Sequence, residues 1–280
     1  MLIDTHTHIY PDKIVDKAIH VMETNSGLKV RCKGTYDALL EMMQQQNVNY
    51  SVVLPVVTNP VHTDSINRNA IEINDRFEET GILSFGGIHP ESGADSSYKK
   101  ILNQLSEHGV KGIKLHPDYQ ATFIDDITCL RIIDYASSLG MIVTIHAGID
   151  VGLPDIVHCP PQRTVNVLKQ VEPYALVLAH MGGWTQWDEV EQLIFPYCNE
   201  HVFLDTAVSI GHMAEHKLLG EEQFVRMVRA IGSKQVLFGT DSPWEMPQTM
   251  EQVVLSMPLT DSEKQDILYQ NALKLLKLPQ

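Results

Sequence analysis

A chain of 280 residues with 44% hydrophobic and 20% charged residues has ordinary globular composition, which excludes a disordered chain and a disulfide-stapled miniprotein. The formal net charge of −14, with no run of Lys or Arg longer than a pair, repels polyanions and argues against nucleic acid or an anionic membrane as partner. Cys32, Cys129, Cys159 and Cys198 lack CxxC spacing and read as reduced thiols. With no signal-peptide pattern after Met1 and no long apolar run, the expectation is a soluble cytoplasmic protein.

Along the chain, short β-branched runs alternate with amphipathic stretches. Strands are expected at 2–7, 50–57, 82–88, 110–116, 141–146, 174–180, 201–206 and 235–240, each nearly continuous in apolar residues, as parallel strands covered on both faces are. Helices are expected at 36–46 behind the N-cap Thr35, and at 67–79, 97–107, 127–138, 162–171, 186–195, 222–231 and 261–277. Eight strand–helix units of about 33 residues predict a single-domain α/β protein over 1–280, a (β/α)₈ TIM barrel. An open doubly wound sheet is the alternative.

Polar residues able to bind metal end these apolar strands. His6 and His8 close the first, Lys114 and His116 the fourth, His146 the fifth and His180 the sixth, while Asp241 follows the eighth. All strand C-termini open on one face of such a barrel, and side chains two apart share a face. Imidazoles, one lysine and one carboxylate would then converge there, an arrangement that is costly unless a cation pairs with them.

The segments DTHTHIYP (4–11), GIKLHPDYQ (112–120), IHAG (145–148), LAHMGG (178–183) and FGTDSPW (238–244) resemble the amidohydrolase superfamily, in its amidohydrolase-related (amidohydrolase 2) branch, over almost the whole chain. The resemblance implies a barrel without the N-terminal β-sandwich of larger members. It implies metal ligands His6, His8, His146 and Asp241, with Asp241 also as proton shuttle. His180 either ligates a second metal or polarises the substrate. Lys114 either becomes carboxylated and bridges two ions or remains an amine that grips an oxyanion. Zn²⁺ is the expected ion, one or two per chain, with Mn²⁺, Fe²⁺ or Co²⁺ as other occupants.

His89, His116, Tyr119 and Gln120 are candidate substrate contacts. Trp184, Trp187 and Trp244 are candidate pocket walls, and Asp205 is a candidate support for a ligating histidine. The Gly- and Pro-rich loop 147–161 is expected to cover the site, and His158 and Cys159 within it are weaker ligand candidates. The expected activity is metal-dependent hydrolysis of an amide, lactone or ester bond in a small polar molecule. The alternative is a zinc-dependent non-oxidative decarboxylase of the same branch; behind both stands a non-catalytic metal-binding barrel. A small-molecule substrate is the expected partner, and members of this branch are often homodimers.

Overall fold

The computed structural model describes residues 1–211 and 218–279. Its strands are β1 (Ile3–Thr7), β2 (Tyr50–Val53), β3 (Ile82–Ser84), β4 (Gly86–Gly87), β5 (Gly112–Leu115), β6 (Ile142–Ile145), β7 (Ala175–Leu178), β8 (Val202–Asp205) and β9 (Val236–Leu237). Every pairing is parallel, in the orders β1-β2-β3 and β4 through β9.

β3 and β4 are two halves of one barrel strand. Ser84 still pairs with Val53 of β2, and the Phe85 N–H donates to the Val53 carbonyl at 2.9 Å. Gly86 and Gly87 then turn to Ile113 and Lys114 of β5. At the other seam, Thr5 N–H donates to Phe238 O at 2.9 Å and Asp241 N–H to His6 O at 2.8 Å, which closes the sheet on itself. Eight strand positions arranged in a ring make a (β/α)₈ barrel, as the repeat length predicts.

The lumen is filled from below. Ile3, Val52, Leu83, Ile142, Ala175, Val177 and Leu237 come from strands all round the ring and pack in one buried cluster, which they can do only inside it. Ala272, Leu276 and Leu278 of the C-terminal helix join that cluster. The opposite strand faces, such as Ile113, Leu115, Val143 and Leu176, pack outward against the helices in the larger apolar cluster.

Helices at Tyr36–Gln46, Ser97–Glu107 and Ile127–Ser138 fall where the periodicity predicts, and Thr35 caps the first by accepting from Ala38 N–H at 3.3 Å. Two further helices escape that reading, Val15–Ser26 and Pro247–Ser256. The first fully buries only Val15 and Ile19, and the second Pro247, Met250 and Val254, too sparse a stripe to stand out in sequence. The expected 67–79 helix lies at Thr63–Asn74 with a separate turn at Phe77–Thr80. The 186–195 and 261–277 stretches each contain a π turn, at Val190–Ile194 and Asp266–Gln270. No described helix is long and apolar enough to cross a membrane.

Candidate active site

The mouth of the barrel is where strand alternation and strand register meet. His6 lies within β1, and the Asp241 backbone is bonded to His6 O across the seam, so Asp241 reaches the same spot as His6 and His8. Its carboxylate Oδ1 lies 3.2 Å from His6 Nε2 and 2.9 Å from His8 Nε2, and the two Nε2 atoms are 3.2 Å apart. Asp241 holds a left-handed backbone (φ 63°), a conformation that a non-glycine residue keeps only when its surroundings over-determine it. Gly239 is required beside it: a Cβ there would come within 2.8 Å of His6 Cβ.

Partners on the far sides of the rings assign their protons. His8 Nδ1 donates to Leu54 O at 2.8 Å, because a carbonyl only accepts. His6 Nδ1 donates to Asp205 Oδ2 at 2.8 Å. Asp205 is itself fixed, its Oδ1 accepting from the N–H groups of His180 (2.9 Å) and Ala207 (3.1 Å). Burial drives the His6 pKa well below the usual imidazole value, so its ring is neutral near pH 7. Burial also pushes the Asp241 carboxyl up, but the imidazoles of His6, His8 and His180 outweigh it and hold the group below the ordinary carboxylate range.

His6 Nε2, His8 Nε2 and an Asp241 carboxylate oxygen therefore converge at 2.9–3.2 Å. Three potential ligand atoms this close together can share one cation. The spacing matches the donor–donor edge for metal–ligand bonds of about 2.0–2.2 Å, and nitrogen and oxygen donors with oriented supports suit a borderline divalent ion. The donor set thus fits the ion that the sequence implies.

Lys114 on β5 is fully buried, with Nζ 3.4 Å from His6 Nε2. Burial lowers its pKa to about 8, against the pull of Asp205 and Asp241. The ammonium then dominates at neutral pH, with a minor share as the free amine, the form that adds carbon dioxide.

His180 follows β7 in a left-handed conformation (φ 59°), with Trp187 Nε1 donating to its carbonyl at 3.0 Å. Its Nδ1 donates to Ala207 O at 2.9 Å, and its ring centroid is 5.3 Å from that of His6. Its Nε2 lies 2.9 Å from His146 Nδ1. His146 Nε2, on the other edge of that ring, has no hydrogen-bond partner among the described residues.

On that far side, the pairing of Lys114 with Thr144 predicts that His116 and His146, two residues further on, are neighbours. Their rings stack at 4.1 Å. Asp150 Oδ2 lies 3.4 Å from His116 Nε2 and 4.0 Å from His146 Nε2, and Asp118 Oδ2 lies 3.9 Å from His146 Nε2. The sequence reading missed Asp118 and Asp150. The His-x-Asp spacing of His116 and Asp118 at a strand end was the available signal; Asp150, in a loop, offered none.

The remaining candidates divide. Gln120 is buried and donates to Val57 O and Ile88 O, tying loops together, and Tyr119 packs edge-on against His116. His89 caps a short turn by accepting from Glu91 N–H, 3.3 Å away. The loop 147–161 is braced across its own base by Gly148, whose N–H donates to Cys159 O. His158 uses its N–H and Nδ1 to hold Asp118 Oδ1 at 2.9 and 3.0 Å. Cys159 is buried against Thr164, and burial pushes its thiol up to about 12. Trp184 lies near His180, with ring centroids 5.5 Å apart, while Trp187 and Trp244 are buried in the main core.

Comparison with known proteins fits this architecture. Solved structures superpose along essentially the whole chain. An uncharacterised TIM-barrel protein from Bordetella bronchiseptica does so at 15% identity and TM-score 0.76, covering 99% of this chain and 98% of its own. An amidohydrolase II does so at 16% identity and TM-score 0.73, covering 99% and 100%. A 5-carboxyvanillate decarboxylase from Novosphingobium aromaticivorans, complexed with manganese and a nitrobenzoic acid, does so at 12% identity and TM-score 0.71, covering 99% and 96%. No curated protein matches by sequence. Residues 3–278 match the amidohydrolase family, and the chain belongs to it, in the amidohydrolase-2 branch.

Proposed function

We propose that the protein is a metal-dependent hydrolase that cleaves an amide, lactone or ester bond in a small polar molecule. The observation that carries this reading is the convergence of His6 Nε2, His8 Nε2 and Asp241 Oδ1 as three potential ligand atoms at 2.9–3.2 Å. These residues would hold the divalent ion, Zn²⁺ or Mn²⁺, with His180 and Lys114 beside them. His146, with Nδ1 2.9 Å from His180 Nε2, would complete the ligand set. When bound, the ion supplies Lewis acidity to a carbonyl and to water.

The chain's own groups supply the rest. Asp241, an anion at neutral pH, takes the proton of the attacking water and returns it to the leaving atom. Asp205 holds the His6 ring through Nδ1 and keeps Nε2 facing the reaction centre. Lys114, as the ammonium, stabilises developing negative charge on the substrate oxygen. As the free amine it can instead take up carbon dioxide, forming a carbamate and releasing a proton. Free cysteines and the acidic surface suit a cytoplasmic setting, and a small-molecule substrate handled by a homodimer completes the reading.

A non-oxidative decarboxylase is the second reading, favoured by the decarboxylase with bound manganese among the structural neighbours and by Lys114 as a carboxylate partner. Turnover of a panel of lactones, amides and aromatic acids in ¹⁸O-water separates the two. Hydrolysis places ¹⁸O in the product acid, whereas decarboxylation releases carbon dioxide and places no ¹⁸O at the substrate carbon.

A further inference from the structure

Resting on the reading of this mouth as the site of a small polar substrate, we propose that the substrate carries a cationic nitrogen group, which Asp118 and Asp150 seat beside the reaction centre. Two observations carry it. The first is that Asp118 is 6% exposed and its Oδ2 is buried with no hydrogen-bond partner among the described residues. Its neighbour is His146 Nε2, 3.9 Å away and beyond hydrogen-bond reach. A buried carboxylate oxygen without a donor costs free energy, which an N–H group of a ligand restores. The second is that Asp150, from a different loop, brings its Oδ2 to 4.0 Å from the same His146 Nε2. Two carboxylate oxygens thus approach one spot at the mouth from separate segments of the chain.

Both carboxylates are held so that they cannot turn away. His158 grips Asp118 Oδ1 with its backbone N–H at 2.9 Å and its Nδ1 at 3.0 Å, which leaves Oδ2 toward His146. Gly152 N–H holds Asp150 Oδ1 at 2.7 Å, leaving Oδ2 toward His146 and toward His116 Nε2, 3.4 Å away. Acceptors fixed in this way add little ordering cost to binding. The charge around them is of one sign. Burial raises the Tyr119 hydroxyl pKa, and the charges that add to the rise are the carboxylates of Asp150, Asp241 and Asp118. Lys114 stands instead by His6, 3.4 Å from its Nε2. Tyr119 packs edge-on against His116, ring centroids 4.6 Å apart, and aromatic faces attract a cation. The two ends of the site are close: the His146 ring is centred 4.6 Å from that of His180, and His180 5.3 Å from His6. A short substrate therefore spans them, its nitrogen on Asp118 and Asp150 and its carbonyl at the His6–His8–Asp241 group. A hydroxyl could donate to one of the two oxygens, but only a cation answers the charge of both.

Matched ligand series test the seat on the full chain loaded with Zn²⁺ or Mn²⁺. The probes are alkyl acetamides and acetates of graded chain length whose far end carries ammonium, guanidinium, hydroxyl, methyl or carboxylate. Binding is read by titration calorimetry, and cleavage separately by release of acetate. The best ammonium or guanidinium member is expected to bind about 10–100-fold more tightly than its methyl counterpart. In Asp118→Asn and in Asp150→Asn that ratio should fall toward unity, and Asp150→Lys should turn the preference to the carboxylate member. Asp150→Asn, at a partly exposed position, carries the test should Asp118→Asn fail to fold. Crystals soaked with the tightest cationic member should show its nitrogen against both aspartates. A ratio near unity in the wild type, tightest binding by a hydroxyl or carboxylate member, or no binding by any member would overturn the seat. So would a preference that the asparagine variants keep, or a divalent ion lodged on His116, His146 and Asp150 in those crystals. Cationic members that bind with the expected ratio and are never cleaved would support the seat and overturn the hydrolytic reading. Cleavage in which neutral members bind best would support hydrolysis and overturn the seat.

Discussion

The two ends of the barrel lumen are built from the same strands and have opposite chemistry. At the base, Ile3, Val52, Ile142, Val177 and Leu237 fill the ring with apolar side chains that meet across it. A few residues further along those strands, or on their neighbours, the inward positions become His6, Lys114, His146, His180 and Asp205. The base contributes burial and asks nothing of orientation. At the mouth, ionisable groups give up water, and each must be compensated by an aimed partner. Stability and chemistry are thus separable in this protein along a single axis.

Substitutions at the two ends should break that comparison in opposite ways. The largest effect is expected from Asp241→Asn, which removes one of three converging ligand atoms and the proton acceptor. Turnover should fall by about 10²–10⁴-fold and metal be lost, while the urea midpoint stays near that of the wild type. Ile142→Ala, at the base, should do the reverse. It should cost about 2–5 kcal/mol in urea unfolding because a cavity is left among strand residues, with metal content unchanged in the folded protein. Asp205→Asn should weaken metal binding by about 10–100-fold, measured by titration, because His6 loses the carboxylate that fixes its proton.

The smallest effect sharpens the contrast by pH. Burial lowers the Lys114 pKa to about 8 from its ordinary 10.5. Below pH 8 the folded and unfolded chains both carry the ammonium, and the native state bears the full cost of burying it. Between pH 8 and 10.5 the folded chain sheds the proton first, and that cost fades. Lys114→Met should therefore be more stable than wild type at pH 7 in metal-free, carbon-dioxide-free buffer. Its advantage should shrink as pH rises through that window; a constant gap would show that the lysine is not desolvated.

Much of the barrel was legible because strand and helix periods are local properties of the chain. The strand centres and the helices Tyr36–Gln46, Ser97–Glu107 and Ile127–Ser138 follow from alternation, apolar spacing and caps. The Val15–Ser26 helix was not, since so few of its residues are fully buried. In the site, His6, His8, Lys114, His146, His180 and Asp241 announced themselves as polar residues ending apolar strands. Asp118 and Asp150 did not, because each acts from a loop whose path is set by contacts such as His158 with Asp118, forty residues apart in the chain.

The sequence by itself determined the kind of fold, the end of the barrel that carries the chemistry and the residue types gathered there, since hydrophobic period and strand polarity need only near neighbours. Only the tertiary structure decided which atoms face one another. The β5–β6 register stacks His116 on His146, the closing seam delivers Asp241 to His6 and His8, and the carbonyl of Ala207 orients the His180 ring beside His146. A ring nitrogen's role depends on its partner, and partners far apart in sequence are chosen by register and closure.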